Sequence, residues 1–344
     1  MRLQTLAIFT FLFCKSVVFS QTTVSNPSKK DFSGTLTFLA SDWMEGREAT
    51  KKGGFMAADY IASIMGLYQL IPYNKNTNSD YFQDFKIQEH LVKKASFEIK
   101  KGTKESIILS SENDFQVTPI SQSLQKEAQI VFVGYGLNIS KEGYDDYKNL
   151  NIKDKIVVVL KGFPGHQDST SVNYKKLKPL FPEENDLEET KLQTAINKGA
   201  IALIIVDAKG NFKPKNAKGN EVFHSLENQI PNSIPVFKLS KSATEKLFAG
   251  TNISLTEIEK KSAQKLTSAS TLLKSSKGKF SIELQSETFP IRNILGMIPG
   301  KDTTKTIIIG AHYDHLGIKN DSIYNGADDN ASGTSGMLAL AKNW

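Results

Sequence analysis

Histidine and aspartate stand close together in the run GAHYDHLG, where His312 and His315 flank Asp314. The run follows TIIIG, residues 306–310, which reads as a buried β-strand. Open α/β sheets bind their ligands beyond the carboxyl ends of such strands. A metal-bound imidazole also needs its second nitrogen held by a carboxylate or a carbonyl, and a His-x-Asp pair can supply both groups. The run is therefore a candidate metal site.

A second run, NGADDNASG at residues 325–333, places Asp328 and Asp329 beside small residues at the start of a predicted helix. One such carboxylate can bridge two metal ions that lie roughly 3.5–4 Å apart. Each motif alone has an ordinary explanation, because His-x-Asp arises by chance and paired aspartates before a helix are usually a solvated cap. Their spacing and the preceding apolar strand agree, and together they favour a metal centre.

These runs carry a family resemblance. Residues 293–342 closely resemble the M28 family of zinc aminopeptidases, and LASDWMEGRE and YFQDF resemble the N-terminal segment of that family. IVFVGYG, YDDYKNLNIKDKIVVVLKG and GAIALIIVD resemble the protease-associated (PA) domain that is often inserted in it. The resemblance covers nearly all of the chain after its N-terminal segment, and residues 312–333 are its most specific part.

The resemblance implies an α/β fold in which an incomplete M28 peptidase domain, a mixed β-sheet with flanking helices, is split by a β-rich PA domain. The segments that it implies are the first part of the peptidase domain at 30–89, a PA-like domain at 90–277 and the start of the M28 domain proper at 278–344, and the N-terminal residue pattern adds a signal peptide at residues 1–20.

The resemblance also implies roles for single residues. His312 would bind one zinc ion, and Asp314 would orient His312. Asp329, rather than Asp328, would bridge two zinc ions, and the peptide bond after it would be cis. We interpret His315 as a packing residue or an indirect support of a ligand.

The family completes its site with a Glu-Glu pair, a further acid and a late histidine, none of which stands after Asp329 in this sequence. Catalytic zinc sites use about three protein ligands, so we expect weak or partial zinc binding and no activity from this chain by itself. The expected reaction of a complete site is hydrolysis of N-terminal peptide bonds. The alternatives are a non-catalytic, secreted PA-domain binding protein and the product of a broken gene.

The elements that must position these residues follow from hydrophobic periodicity. Helices are predicted around residues 55–67, 189–198, 241–249 and 333–344. Strands are predicted at 95–99, 107–109, 129–135, 156–160, 200–206, 234–239, 280–284, 291–298 and 306–310, and residues 162–189 and 260–279 read as polar connections. Glu45 and Arg47 are expected to fix a loop by ion pairing rather than to bind substrate.

The N-terminus predicts export. Arg2 precedes an apolar run at residues 6–13, which has the length of a signal-peptide core. The run is far shorter than the roughly 20 residues of a membrane span, and bulky residues before Cys14 argue against a lipid anchor. Cys14 is the single cysteine, so an exported, cleaved chain has neither disulfides nor thiolate ligands. We therefore expect a periplasmic or extracellular protein.

Charge excludes one class of partner. The net charge is +7, from 43 Lys and Arg against 36 Asp and Glu. The basic residues are spread along the chain, whereas nucleic-acid-binding proteins cluster them on a face or a stripe. We expect a peptide or protein substrate and no nucleic acid.

Overall fold

Two compact units make up the chain in the computed structural model, which describes residues 26–72, 81–102, 105–118, 120–214, 222–226 and 234–343. Unit 1 joins Met1–Phe85 to Ile291–Trp344, and unit 2 is Lys86–Pro290. Unit 2 is thus one uninterrupted stretch inserted between two parts of unit 1. The segment 90–277 lies within it, and its assignment as a PA domain stays a prediction. The predicted signal peptide and Cys14 lie outside the described residues.

The fold is α/β. Its α-helices, within the described residues, are α1 (Lys29–Leu39), α2 (Lys52–Leu67), α3 (Val172–Leu177), α4 (Glu184–Asn197), α5 (Lys241–Phe248), α6 (Leu255–Gln264) and α7 (Ser332–Ala341). Short 3₁₀ helices lie at Asp42–Arg47, Ser140–Glu142 and Lys178–Leu180, and a π-helical segment at Ala327–Ala331. Its strands are β1 (Ile71–Pro72), β2 (Phe82–Lys101), β3 (Glu105–Leu109), β4 (Phe115–Val117), β5 (Leu124–Phe132), β6 (Asn138–Ile139), β7 (Tyr144–Asp145), β8 (Ile156–Leu160), β9 (Ala202–Val206), β10 (Val222–Leu226), β11 (Val236–Leu239), β12 (Thr271–Ile294), β13 (Gly296–Met297), β14 (Gly317–Lys319) and β15 (Ser322–Tyr324).

A nine-stranded mixed sheet dominates unit 2. Its order is β10-β2-β12-β5-β8-β9-β11-β4, with β3 beside β2. The four central strands β5, β8, β9 and β11 pair in parallel, and antiparallel strands border them on both sides. All five residues of β8 and all five of β9 are buried. Parallel strands are covered on both faces, which explains their continuous apolar sequences IVVVL and ALIIV.

The two faces of this sheet carry separate hydrophobic cores. Ile156 and Val158 point into a core that also contains aromatic residues such as Phe237, whereas Val157 and Val159 belong to the other core. Because side chains alternate along a strand, one short run supplies both layers. The prediction of a buried strand at residues 156–160 is confirmed.

Unit 1 packs three helices around the segment that carries the candidate site. Leu338 of α7 shares a core with Ile61 and Met65 of α2. Leu39, at the end of α1, packs with Ala331 just before α7. None of the helices in the described ranges is long and apolar enough to cross a bilayer.

Two predicted strands of unit 1 differ from the structure. Residues 306–310 form no strand, and Ile307 and Ile308 are 88% and 89% exposed. A strand exists through its ladder hydrogen bonds, and no strand among the described residues pairs with this segment. Residues 291–298 do contain strand, as the end of β12 and as β13, but Met297 and Ile298 are exposed rather than buried.

The two segments predicted as polar connections of unit 2 contain helices. Residues 162–189 include α3, and α4 begins at Glu184, earlier than expected. Residues 260–279 include the end of α6 and the start of β12. The sequence signal for α6 was available, because Ser254 caps the helix and Glu257 stands three residues later, as in a capping box.

A buried carboxyl group lies between α6 and the loop that precedes α3. The Glu259 side chain is 9% exposed, and its Oε1 lies 3.9 Å from Nε2 of His166. Burial, and then the nearby charge of Asp207, raise the pKa of Glu259 to about 7. Burial lowers the pKa of His166 to about 4, so this imidazole is neutral above that pH. Glu259 is therefore the member of the pair that titrates near neutrality.

Glu259→Gln should change how stability depends on pH. A carboxyl whose pKa rises from 4.5 to about 7 on folding stabilises the fold while protonated, and this contribution is lost as pH rises through 7. The glutamine variant does not ionise. The natural protein should therefore lose about 2 kcal/mol of unfolding free energy between pH 5 and pH 8 that the glutamine variant does not lose. Urea unfolding at several pH values measures this difference.

Glu257→Gln is the matched control, since Glu257 lies on the same helix with 54% of its side chain exposed. This variant should follow the natural protein at every pH. Parallel pH profiles for Glu259→Gln and the natural protein would contradict the assignment.

Candidate metal centre

A short β-hairpin brings the two halves of the candidate centre together. β14 follows His315 and pairs antiparallel with β15, which ends just before Asn325. The turn between them consists of Asn320 and Asp321, whose φ angles are 51° and 59°. Two left-handed residues form the tight turn that suits the twist of a hairpin, and Asn and Asp tolerate this conformation. The hairpin thus brings the segment that begins at Asn325 back beside the segment that ends at His315.

Gly46 supports this hairpin from the N-terminal part of unit 1. Its φ is +68°, and a Cβ at this position would lie 2.7 Å from the carbonyl oxygen of Tyr324 and 2.5 Å from that of Gly317. Real Cβ contacts are not this short, and the left-handed conformation also favours glycine. Gly46, in the EGR motif of residues 45–47, is therefore in direct contact with the hairpin that connects the two halves of the centre.

His312 and Asp329 face each other across the centre. Nε2 of His312 lies 3.0 Å from Oδ1 of Asp329. Both side chains are open to solvent, with exposed fractions of 52% and 69%. The two residues that the resemblance implied as metal ligands are thus adjacent in space, although a hairpin separates them in sequence.

Asp314 lies on the opposite edge of the His312 ring. Nδ1 of His312 is 3.1 Å from the backbone oxygen of Asp314 and 3.6 Å from its Oδ1. The carbonyl is the nearer acceptor, so it can hold the Nδ1 proton and leave the Nε2 lone pair directed at Asp329. Asp314 therefore has two ways of orienting the ring, one through its backbone and one through its side chain.

Tyr313 anchors the loop between these two residues. Its hydroxyl donates a hydrogen bond to the backbone oxygen of Arg292, 2.7 Å away. Burial, followed by the negative charge of Asp314, raises the pKa of Tyr313 to about 12. The hydroxyl therefore remains protonated, and this anchor persists, throughout the range in which proteins work.

His315 lies closer to the centre than the sequence alone indicated. Its side chain is 13% exposed, and Nδ1 lies 3.7 Å from Oδ2 of Asp329. The Asp329 carboxylate therefore stands between two imidazoles, one at each oxygen. Asp328 is exposed, and its backbone oxygen accepts a hydrogen bond from the Ser332 hydroxyl at 3.1 Å.

The start of α7 fixes the Asp329 side of the centre. The Asp329–Asn330 peptide bond is cis, as the resemblance predicted. Oδ1 of Asn330 accepts the backbone N–H of Gly333 at 3.0 Å. The buried hydroxyl of Thr334 donates to the backbone oxygen of His312, also at 3.0 Å. Sequence reasoning missed Thr334, because a lone threonine inside a helix carries no signal for such a contact.

The distance between Nε2 of His312 and Oδ1 of Asp329 fits two ligands of one ion. Zinc binds imidazole nitrogen and carboxylate oxygen at about 2.0–2.2 Å in near-tetrahedral geometry, which separates neighbouring ligand atoms by about 3.3 Å. The observed 3.0 Å is close to this value. Within the ranges that the structure describes, no group of three or more His, Cys, Asp or Glu side chains could hold a metal ion. Metal binding by His312 and Asp329 remains a prediction.

The other histidines lie in unit 2. His90 is buried, with its two ring nitrogens 2.8 Å and 2.9 Å from the hydroxyls of Ser286 and Ser225. His166 lies beside Glu259, and His224 pairs with Glu89 at 3.2 Å. Each therefore has local partners within unit 2.

Comparison with known families agrees with the geometry of this segment. The model of peptidase family M28 matches residues 293–344. The matched stretch, called the M28 segment below, is therefore similar to this family. His312, Asp314 and Asp329 all lie inside this M28 segment, and α7 closes its described part. A search of curated protein sequences finds no match.

Two solved aminopeptidase structures match this chain, each with a TM-score below 0.5. The aminopeptidase from Aneurinibacillus sp. strain AM-1 is 17% identical, with a TM-score of 0.45, and the match covers 93% of this chain and 60% of that one. A zinc aminopeptidase from Bacillus subtilis is 20% identical with a TM-score of 0.36, over 92% of this chain and 58% of that one. This chain thus spans about 60% of the length of these proteins. The similarity to peptidase family M28 rests on the M28 segment.

Gly46→Ala should destabilise unit 1. Alanine in a left-handed conformation costs about 1–2 kcal/mol, and its Cβ would also displace the carbonyls of the hairpin. We expect a loss of at least about 2 kcal/mol in the free energy of unfolding, measured by urea denaturation.

Gly34→Ala provides the opposite case in the same unit. Gly34 lies in α1, and a Cβ there would have no neighbour within 4 Å. Alanine should therefore stabilise the helix by about 0.5–1 kcal/mol. Equal effects of the two substitutions would show that Gly46 does not make the close contact described.

Proposed function

We propose that this chain forms part of the zinc site of an exported aminopeptidase, with His312 and Asp329 as metal ligands. The observation that carries this proposal is the 3.0 Å approach of Nε2 of His312 to Oδ1 of Asp329 inside the M28 segment. Similarity to a peptidase family supports peptides as the substrate class. We propose N-terminal peptide bonds as the substrate because the similar solved proteins are named aminopeptidases.

Each residue of the centre would have a distinct task. His312 would bind through Nε2, while Asp314 fixes the proton on Nδ1. Asp329 would bind through its carboxylate, which lies beside Nε2 of His312. Bound zinc would act as a Lewis acid and lower the pKa of a coordinated water. The solvent exposure of His312 and Asp329 leaves the centre open to a peptide.

The described residues supply two of these ligands, whereas catalytic zinc sites use three protein ligands for each ion. We therefore propose weak or partial zinc binding by this chain, and little or no hydrolysis of aminoacyl-nitroanilides. The two-zinc site and the general base of the whole peptidase would need groups beyond those described.

Export and the role of unit 2 are further parts of the proposal. The basic start and the apolar run at residues 6–13 support export through a signal peptide. Unit 2 has its own two-layered core, which supports its reading as an inserted PA domain. The alternative function, a non-catalytic binding protein, would rely on unit 2 alone.

Asp329→Asn should weaken metal binding at least 10-fold, because an amide is a poor substitute for a bridging carboxylate. Titration of the purified chain with Co²⁺, followed by its visible absorption, measures the affinity. Asp328→Asn is the matched control and should stay within about twofold of the natural protein, because Asp328 stands outside the centre.

His312→Ala should reproduce the loss, whereas His224→Ala, in unit 2, should have no effect. Co²⁺ binding that survives both His312→Ala and Asp329→Asn would overturn the proposed site and leave the non-catalytic alternative.

Asp314→Asn should have a smaller effect than Asp329→Asn, a loss of no more than about 10-fold, at the low end of the range for residues that orient a ligand. The reason is that the backbone oxygen of Asp314, the nearer acceptor of Nδ1, remains in place. The same Co²⁺ titration tests this order. A loss as large as that of Asp329→Asn would instead indicate that the Asp314 carboxylate binds the ion directly.

A further inference from the structure

Arg47 is a buried cation that joins the two halves of the candidate centre. Its side chain is inaccessible to solvent. Nε donates to the backbone oxygen of Tyr313 at 2.6 Å, and Nη2 donates to that of Gly326 at 2.8 Å. Nη1 donates to the backbone oxygens of Asn325, at 2.6 Å, and of Leu39. One guanidinium therefore binds the loop before the hairpin, the loop after it and the end of α1.

The backbone of Arg47 adds a further link. Its carbonyl oxygen accepts the N–H of His315 at 3.0 Å. Arg47 thus fixes the first loop at two points, Tyr313 and His315, and the second loop at Asn325 and Gly326. These loops carry His312 and Asp329, respectively. The expected ion pairing of this residue with a loop carboxylate is replaced by hydrogen bonds to carbonyls.

Electrostatics couples Arg47 to the same centre. Burial lowers the pKa of the guanidinium, and the nearby negative charges of Asp314 and Asp329 oppose this shift. A buried cation is costly unless its donors are satisfied and a counter-charge lies near. Here the carbonyls satisfy the donors, and the carboxylates of the centre provide the counter-charge. A role in binding substrate is excluded by the burial of Arg47.

We infer that Arg47 is a positioning residue, which holds the loops of residues 312–315 and 325–329 at the separation at which His312 and Asp329 can share one ion. A planar guanidinium suits this task, because it directs five N–H groups in fixed directions. Lysine has a single nitrogen and cannot reach four carbonyls on three segments. The part of this inference that concerns metal binding rests on the proposed function.

Arg47→Gly, with chemical rescue, tests the inference. The φ of Arg47 is 52°, in the left-handed region that favours glycine, so this substitution removes the side chain without straining the backbone. Two properties are measured: the ring ¹⁵N signals of His312 and His315 in the metal-free protein, and the affinity for Co²⁺. The variant should shift the His312 signals and lose about 10-fold or more in affinity.

Ethylguanidinium at millimolar concentration should enter the vacated space and restore both properties, whereas ethylammonium should restore neither. If Arg47 only stabilised the fold, any other substitution that lowers stability by the same amount should shift the His312 signals and weaken Co²⁺ binding to the same extent. Met65→Ala supplies this control, because Met65 is buried in the core between α2 and α7, against which Tyr313 also packs, and its side chain makes none of the hydrogen bonds or ion pairs of the centre. It should lower stability and leave the His312 signals and the affinity unchanged.

The two readouts separate this inference from the proposed function. If Arg47→Gly shifts the His312 signals and ethylguanidinium restores them, the positioning role stands even where the natural chain binds no Co²⁺, and the proposed function alone fails. If the natural chain binds Co²⁺ and Arg47→Gly matches it in both readouts, the positioning role is overturned and the proposed function stands. Equal changes in Met65→Ala would overturn it as well.

Discussion

The approach of one imidazole nitrogen to one carboxylate oxygen is the constraint around which unit 1 is organised. Nε2 of His312 and Oδ1 of Asp329 are 3.0 Å apart. Neither residue belongs to a regular element that could hold it rigidly, since His312 lies in a loop and Asp329 has non-helical backbone angles, φ −115° and ψ 89°, within the short π-helical segment Ala327–Ala331 before α7. Their separation therefore depends on what holds the two loops. The backbone of each loop is bound at several points, and nearly all of these contacts come from elsewhere in the sequence.

These contacts come from both ends of the chain. Thr334, on α7, holds the backbone of His312, and Tyr313 is anchored at Arg292. The N-terminal segment contributes Gly46, which admits the hairpin, and Arg47, which binds both loops. Unit 1 is interrupted by Lys86–Pro290, so the supporting residues Gly46 and Arg47 lie before the insertion, whereas the candidate ligands lie after it. The hydrogen bonds of Arg47 to Tyr313 and His315 therefore join the EGR motif to the His-x-Asp motif within unit 1.

Unit 2 is stabilised differently from the loops of the candidate centre, because its strands are held mainly by apolar packing. The sequences of β8 and β9 are apolar without interruption, and both strands are buried on both faces. Polar groups within this unit are satisfied locally. The carboxylate of Asp146, for example, accepts the N–H of Tyr135 at 2.9 Å and the hydroxyl of Tyr144 at 2.7 Å. Burial raises the pKa of Asp146 to about 6, which illustrates how strongly water is excluded from this core.

The sequence by itself predicted the central strands of unit 2 from continuous apolar runs, and it drew attention to His312, Asp314 and Asp329 through two neighbouring motifs. These features depend on local patterns, which do not require knowledge of distant partners. The cis peptide bond at Asp329 was implied by the resemblance to a known family rather than by a local pattern. Tertiary structure decided the rest. Residues 306–310 have the composition of a buried strand, yet Ile307 and Ile308 are exposed, because a strand also needs a neighbour with which to form hydrogen bonds. The role of Arg47 and the proximity of His315 to Asp329 were likewise decided by contacts between segments far apart in sequence, which no local pattern encodes.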